Sequence, residues 1–245
     1  MRSAVAAMTF LTVVPIGRRV EVGERDLRAG VVAFPIVGAM VGALAGVVSW
    51  GASFALPPLV AAVLGVAVGV LVTAALHVDG LADVADGMGA ALAGRDPSAA
   101  MRDPRLGTFG GAALALDLIL KTSVLTSLVA GRRFPLELLA AGALARVAPL
   151  ALAISLPYIS PDSGSGGWTR GVGLGVLLTA TAIASAVGTV TVGPVFLAML
   201  GTGALVTALL GWWSAVHLGG VTGDVFGASA EMTEALALTA ALAIR

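Results

Sequence analysis

VVAFPIVGAMVGALAGVVSWGASFALPPLVAAVLGVAVGVLVTAAL, residues 31–76, runs for 46 residues without an acidic or basic side chain. About 20 apolar residues carry a helix across the hydrocarbon core of a bilayer, roughly 30 Å thick. The stretch is therefore long enough for two crossings. Pro57-Pro58 sits where a turn between them belongs, because proline lacks the N–H that a continuing helix needs. Two spans are predicted, about Val31–Leu56 and Leu59–Leu76.

The rest of the chain has the same character. Apolar residues make up 58% and charged residues 11% of the 245 residues, with a mean hydropathy of +1.01. A soluble domain carries about 25% charge, because its surface faces water. Further spans are predicted at about Thr108–Ala130, Leu136–Leu156, Val172–Val190, Pro194–Trp213 and Phe226–Ile244. Ala4–Ile16 is too short to cross. No small-residue cleavage site follows it, so it reads as a retained, interfacial or half-spanning segment and not a signal peptide. The expected fold is all-α, a polytopic membrane bundle of about seven transmembrane helices forming a single domain over residues 1–245. Zero net charge gives no basic surface for nucleic acid, and the lack of cysteine excludes disulfides and thiolate metal sites.

Charge asymmetry orients the bundle. Arg18, Arg19, Arg25 and Arg28 precede the first span, and Arg95, Arg102 and Arg105 follow the second. Two crossings put both groups on one side, which the positive-inside rule makes cytoplasmic; Arg132 and Arg133 are the exception. By parity Pro157–Arg170 and His217–Asp224 open on the same side, with Tyr158, Trp168, Trp212 and Trp213 expected as interfacial aromatics. Gly38, Gly42 and Gly46, and Gly65 and Gly69, recur every four residues, a pattern that lets helix backbones approach in lipid.

The polar segment His77–Gly107 holds the strongest chemical motif, His77-Val-Asp79-Gly-Leu-Ala-Asp83-Val-Ala-Asp86-Gly87. In a helix Asp79, Asp83 and Asp86 share one face, and three carboxylates there repel one another unless a cation neutralises them. Oxygen donors without cysteine suit Mg²⁺, with Mn²⁺ or Ca²⁺ as alternatives. The competing explanation is a solvated helix whose acids face water, although Gly80 and Gly87 look placed for close backbone approach. His77 fits a general base, a partner for an Asp, or a histidine at a helix end. Arg102 and Arg105 suit phosphate through bidentate contacts, or serve only as flanking positive charge. Within the spans Asp117 and Lys121, spaced i, i+4, and Arg146 are costly charges that need a polar cavity or a partner. Gly219-Gly220-Val-Thr222-Gly223-Asp224 leads to Glu231 and Glu234. Its glycines leave N–H groups free at a helix start, which suits phosphate, and Asp224 and Glu231 share a face that could hold an ion. An acidic N-terminal cap at Asp224 and a buried, protonated Glu explain the same residues without a ligand.

Taken together these stretches resemble the cobalamin synthase, or adenosylcobinamide-GDP ribazoletransferase, family. The likeness runs from Met8-Thr-Phe-Leu-Thr12 and Phe34-Pro35 through His77–Gly87, Arg102–Thr108 and Arg146 to Gly219–Glu234. Pro104 departs from it, standing where the family's Arg-Asp-Ser-Arg pattern has Ser. The resemblance implies a bacterial inner-membrane enzyme with a cytoplasmic active site. It would join the cobinamide phosphate of adenosylcobinamide-GDP to α-ribazole or its 5′-phosphate, releasing GMP, late in vitamin B12 synthesis. It implies Mg²⁺ on Asp79, Asp83 and Asp86, with Asp224 and Glu231 as further metal-ligand candidates. Arg102, Arg105, Lys121, Arg146, Gly220, Thr222 and Gly223 would contact substrate. Asp86, ahead of His77, is the candidate base. The implied partners are the lipid bilayer and the two substrates, with self-association left open.

Two alternatives use the same residues. A CDP-alcohol phosphotransferase also sets Asp residues at a helix end, but its longer Asp-x2-Asp-Gly-x2-Ala-Arg motif is missing. A transporter would use the intramembrane charges, yet no internal repeat is visible and the polar motifs gather at span ends.

Overall fold

The computed structural model describes residues 2–14, 22–160 and 165–244. Arg18 and Arg19, and residues 161–164 of the Pro157–Arg170 loop, lie outside the described residues. The described chain is helical, and its one β contact is an isolated bridge between Tyr158 and Val221.

Helix α1 (Arg2–Leu11) precedes α2 (Glu24–Gly30), which passes through a 3-10 turn at Val31–Ala33 into α3 (Phe34–Ala52). Then come α4 (Pro58–Val72), α5 (Leu76–Leu92), the short α6 (Pro97–Met101) and α7 (Thr108–Val129). The second half is α8 (Glu137–Ala145), α9 (Ala148–Ser155), a 3-10 segment at Ser165–Gly171, α10 (Leu174–Val192), α11 (Val195–His217) and α12 (Gly223–Ile244).

Among the described residues five helical stretches are long and apolar enough to cross a membrane: Glu24–Ala52, Thr108–Val129, Glu137–Ser155, Leu174–Val192 and Val195–His217. A sixth arises if α4 and α5 count as one crossing, although they meet at 88°. The expected count of seven included α12. That helix is long enough, but Glu231 and Glu234 interrupt its apolar run, and it packs at the centre against α5, α7, α8, α9 and α11.

The α4–α5 corner departs from the predicted straight span to Leu76. Ala74 and Ala75 both adopt left-handed backbone, φ +51° and +59°, a conformation that L-residues other than Gly, Asn and Asp seldom occupy. Ala75 N donates to Val70 O at 2.8 Å, closing the end of α4. The Thr73 hydroxyl donates to Gly69 O at 3.0 Å, and Leu76 N donates to Thr73 O at 3.0 Å. A second interruption lies in the α8–α9 crossing. Pro149 has no N–H to return to Ala145 O, so the helix opens for one turn at Arg146 and Val147.

The Gly38/Gly42/Gly46 ladder seats α3 on the α8 end of the bundle. A Cβ on Gly38 would strike the Gly142 carbonyl, one on Gly42 the Leu138 carbonyl, and one on Gly46 the Phe134 ring. Gly65 likewise abuts Ser49 and Ala45 of α3, but Gly69 has open space beside it and lines an internal cavity. Of the expected interfacial aromatics Trp212 is 65% exposed, whereas Trp168 and Trp213 are 3% and 9% exposed and belong to the core.

Candidate functional site

The polar residues divide into two groups, whose cavities share His77 and Arg146, and small residues on α5 and α12 bring the first together. Gly80 faces the backbone of Asp224 and Ala228: a Cβ there would lie 2.6 Å from Asp224 O and 3.2 Å from Ala228 N. Gly227 answers from α12, against Leu76 O and the Cα atoms of His77 and Gly80. This close crossing puts Asp224 within electrostatic reach of Asp79 and Asp83, and Asp86 is near enough to act on Asp83. Asp79 is exposed and the other three are half-buried. Among the described residues no Lys or Arg forms an ion pair with any of the four.

Asp86 has a second task. Its Oδ2 accepts from Gly107 N at 2.7 Å and its Oδ1 from Gly110 N at 2.8 Å, so it caps the start of α7 from a neighbouring helix. A Cβ on either glycine would run into the Asp86 carboxylate. The residue favoured as base thus has both oxygens held by backbone, while His77 faces a pocket.

That pocket, about 130 Å³, lies beside the α5–α12 crossing. Its polar lining is His77, Asp79, Arg146 and Asp224, with Gly223 and Gly227 on α12. Its aromatic wall is Phe10, Phe34, Trp168 and Phe226. Phe10 stacks on Phe34 with centroids 5.9 Å apart, Trp168 meets Phe34 edge-on at 5.7 Å, and Phe226 lies 5.0 Å from Trp168. Phe10 belongs to the Met8–Thr12 stretch and Phe34 to Phe34-Pro35, motifs that carried no chemistry of their own in the sequence. Trp168 had been assigned to the interface. Nothing in local spacing marks these rings as neighbours, because the contact is made only when three distant segments meet.

The Gly219–Asp224 motif supplies the start of α12. Gly219 has φ +78°, and Gly220 presses on the Pro157 carbonyl too closely for a side chain. Val221 N donates to Pro157 O at 2.9 Å and Ile159 N to Val221 O at 3.0 Å, while the Ser214 hydroxyl donates to Gly220 O. Thr222, and not Asp224, caps the helix: its Oγ1 accepts from Val225 N at 3.4 Å and donates to Asp224 Oδ2 at 3.3 Å. Gly220 and Thr222 thus shape the turn, and Gly223 opens on the pocket.

The second group is internal. Lys121 on α7 bonds Glu231, with Glu234 Oε1 at 3.6 Å and Asp117 Oδ2 at 3.7 Å. Arg146 Nη1 reaches Glu234 Oε2 at 2.6 Å, while its Nε has no hydrogen-bond partner among the described residues. Lys121, Arg146, Glu231, Glu234 and His77 line a cavity of about 40 Å³, room for water among polar partners. Glu231 is therefore not brought to Asp224, and Lys121 is not brought to the acidic group. Of the two arginines before α7, Arg105 is tied to Asp103 through Nε at 3.0 Å and Nη2 at 2.7 Å, which holds the Asp103 carboxyl down to about 2. Arg102 is exposed and in no ion pair among the described residues.

The acidic group has the donor chemistry of a hard cation site, with carboxylate oxygens and no compensating charge. Among the described residues no three such side chains converge closely enough to cage an ion alone. Mg²⁺ takes one or two carboxylates and shares its remaining positions with water and phosphate, so Asp79, Asp83 and Asp224 fit that use.

A model of the cobalamin-5-phosphate synthase family matches residues 3–242. The chain belongs to this family. An adenosylcobinamide-GDP ribazoletransferase of Prosthecochloris aestuarii is 36% identical over 248 residues, 97% of this chain and 96% of that protein. Enzymes of the same name from Geotalea daltonii and Chlorobium phaeobacteroides are 36% and 34% identical, covering 100% and 96% of this chain and 98% and 95% of their own. No solved structure matches the chain. The cobalamin-5-phosphate synthase match spans both halves of the site, from Phe10 in α1 to Glu234 in α12.

Proposed function

We propose that this chain is an adenosylcobinamide-GDP ribazoletransferase of cobalamin biosynthesis, with its active site at the α5–α12 crossing. The observation that carries the location is the set of uncompensated carboxylates, Asp79, Asp83 and Asp224, beside a pocket walled by aromatic rings. Full-length likeness to enzymes of that name supports the activity.

In this reaction a ribose hydroxyl of α-ribazole forms a P–O bond to the phosphorus that carries cobinamide. The bridging P–O bond of the pyrophosphate breaks, GMP leaves with the electron pair, and the hydroxyl proton passes to His77, which lines the pocket, or to solvent. Asp79, Asp83 and Asp224 would hold Mg²⁺, which when bound neutralises phosphate charge and eases departure of GMP. The first turn of α12, opened by Gly223, offers backbone N–H groups to phosphate. Arg102, at the end of α6 and in no ion pair among the described residues, is available for an outer phosphate, and Arg105 is already engaged by Asp103. Asp86 fixes α5 against α7 and so positions Asp83 and Asp79 one and two turns away. Phosphoryl transfer depends chiefly on such placement and on charge stabilisation.

Charge bias supports placing this end at the cytoplasmic face of a bacterial inner membrane. Thr108, Gly223 and Leu174 begin helices at the same end where α9 and α11 finish, which gathers the acidic group and the aromatic pocket there. Purified protein in liposomes, given adenosylcobinamide-GDP, α-ribazole and Mg²⁺, is expected to release GMP and form the joined cobalamin product. Absence of GMP release with a verified folded sample, or turnover unaffected by chelation, would overturn the assignment of activity or of metal respectively.

A further inference from the structure

Two cavities of very different size meet at Trp168. The smaller pocket of about 130 Å³ carries Asp79 and Asp224; a second, wider cavity of about 1020 Å³ lies beside it, lined by Thr9, Leu27, Leu156, Tyr158 and Arg170 among others. Phe10, Gly166 and Trp168 line both. Arg28 braces the larger one from behind: its Nε donates to Gly167 O at 3.1 Å and its Nη2 to Glu24 Oε1 at 2.5 Å, tying α2 to the Ser165–Gly171 segment.

An apolar cavity of about 150 Å³ accommodates benzene. The smaller pocket is thus scaled to a planar ring system and far too small for a cobinamide macrocycle. Its chemistry agrees. Phe34, Phe226 and Trp168 give ring faces and edges suited to an uncharged aromatic base. Arg146 lines the same pocket and adds a cationic side chain to its polar end. Asp79 and Asp224 lie on that lining too, where a ribose attached to the base would meet the acidic group. The larger cavity has room for a macrocycle and mixes apolar walls with Glu24 and Arg170.

Resting on the transferase activity proposed above, we propose that the fold sorts its two substrates by size across Trp168. The planar base of the acceptor nucleoside enters the small pocket, and the macrocycle of the GDP-activated donor lies in the large cavity. Their reactive ends then meet at the acidic group, with neither substrate crossing the other's seat.

The test narrows one cavity at a time with residues that line only that cavity and are exposed, so that the core is spared. Leu76 lines only the small pocket and Thr9 only the large one. Leu76→Trp is expected to raise KM for α-ribazole at least tenfold and leave KM for adenosylcobinamide-GDP within twofold; Thr9→Trp should do the reverse. Each variant's unchanged KM reports that it has folded. The opposite pattern, a rise in both constants, or no rise in either overturns the sorting while leaving the activity intact. Should wild-type protein release no GMP, the activity itself falls. The pocket is then tested by α-ribazole quenching of tryptophan fluorescence: binding lost in Leu76→Trp supports the seat, and equal binding overturns it.

Discussion

The two polar groups differ in how their charge is balanced. Inside the bundle three carboxylates, Asp117, Glu231 and Glu234, meet two cations, Lys121 and Arg146. At the end of the bundle Asp79, Asp83, Asp86 and Asp224 meet none among the described residues. The inner group can persist without help, because each buried charge has an opposite partner. The outer group relies on backbone N–H groups at Asp86 and on whatever positive species arrives. Self-sufficiency marks structure here, and deficiency marks the site.

The sharpest way to break the comparison is to remove one member from each side. Asp83→Asn should cut GMP release by about a thousandfold, the scale lost when an electrostatic contact to the reacting centre is removed. Its unfolding temperature in detergent should hold or rise, since it relieves repulsion. Lys121→Met should do the converse. Stranding Glu231 and Asp117, whose only cation among the described residues is Lys121, costs about 3–5 kcal/mol, read as loss of folded protein on thermal unfolding. Adding Glu231→Gln should recover part of that loss; if the double variant is worse, the network is not a balanced one. Gly80→Ala tests the crossing that assembles the outer group. The new Cβ would meet Asp224 backbone, and shifting α5 from α12 by about 1 Å should lower kcat about a hundredfold. Asp86→Asn should cost about 1–2 kcal/mol through the start of α7, with faster hydrogen exchange at Gly107 and Gly110.

The smallest effect is expected at the exposed Asp103–Arg105 pair. Asp103 titrates near 2 when folded against 3.8 unperturbed, so its contribution is present above about pH 4 and disappears as pH falls toward 2. Asp103→Asn should lower stability at neutral pH only slightly, as loss of an exposed ion pair does, and not at all near pH 2. A gain in activity that added salt suppresses would show that Arg105, released, reaches substrate.

Much of this was readable in the chain. Forty-six uncharged residues with a Pro-Pro turn fix helices and membrane, and the Asp79–Asp83–Asp86 spacing survives as one helix, α5. The α4–α5 corner was not readable, since no Gly or Pro marks Ala74 and Ala75 and their left-handed backbone is imposed by tertiary contacts. Glu231 was misplaced for a related reason. Seven residues separate it from Asp224 on one face, but that distance carries it out of the acidic group and onto Lys121 of another helix. The aromatic pocket joins α1, α3 and the segment around Trp168, contacts that no local period encodes.

The corner at Ala74-Ala75 also has a consequence for the lipid. Helix α4 has 15 residues, about 22 Å of rise, whereas the hydrocarbon core is about 30 Å deep. Around this helix the bilayer must thin, or the corner and its acidic helix must sit below the headgroups. The enzyme would then be tuned to membrane thickness, working best in short-chain bilayers and losing turnover as acyl chains lengthen.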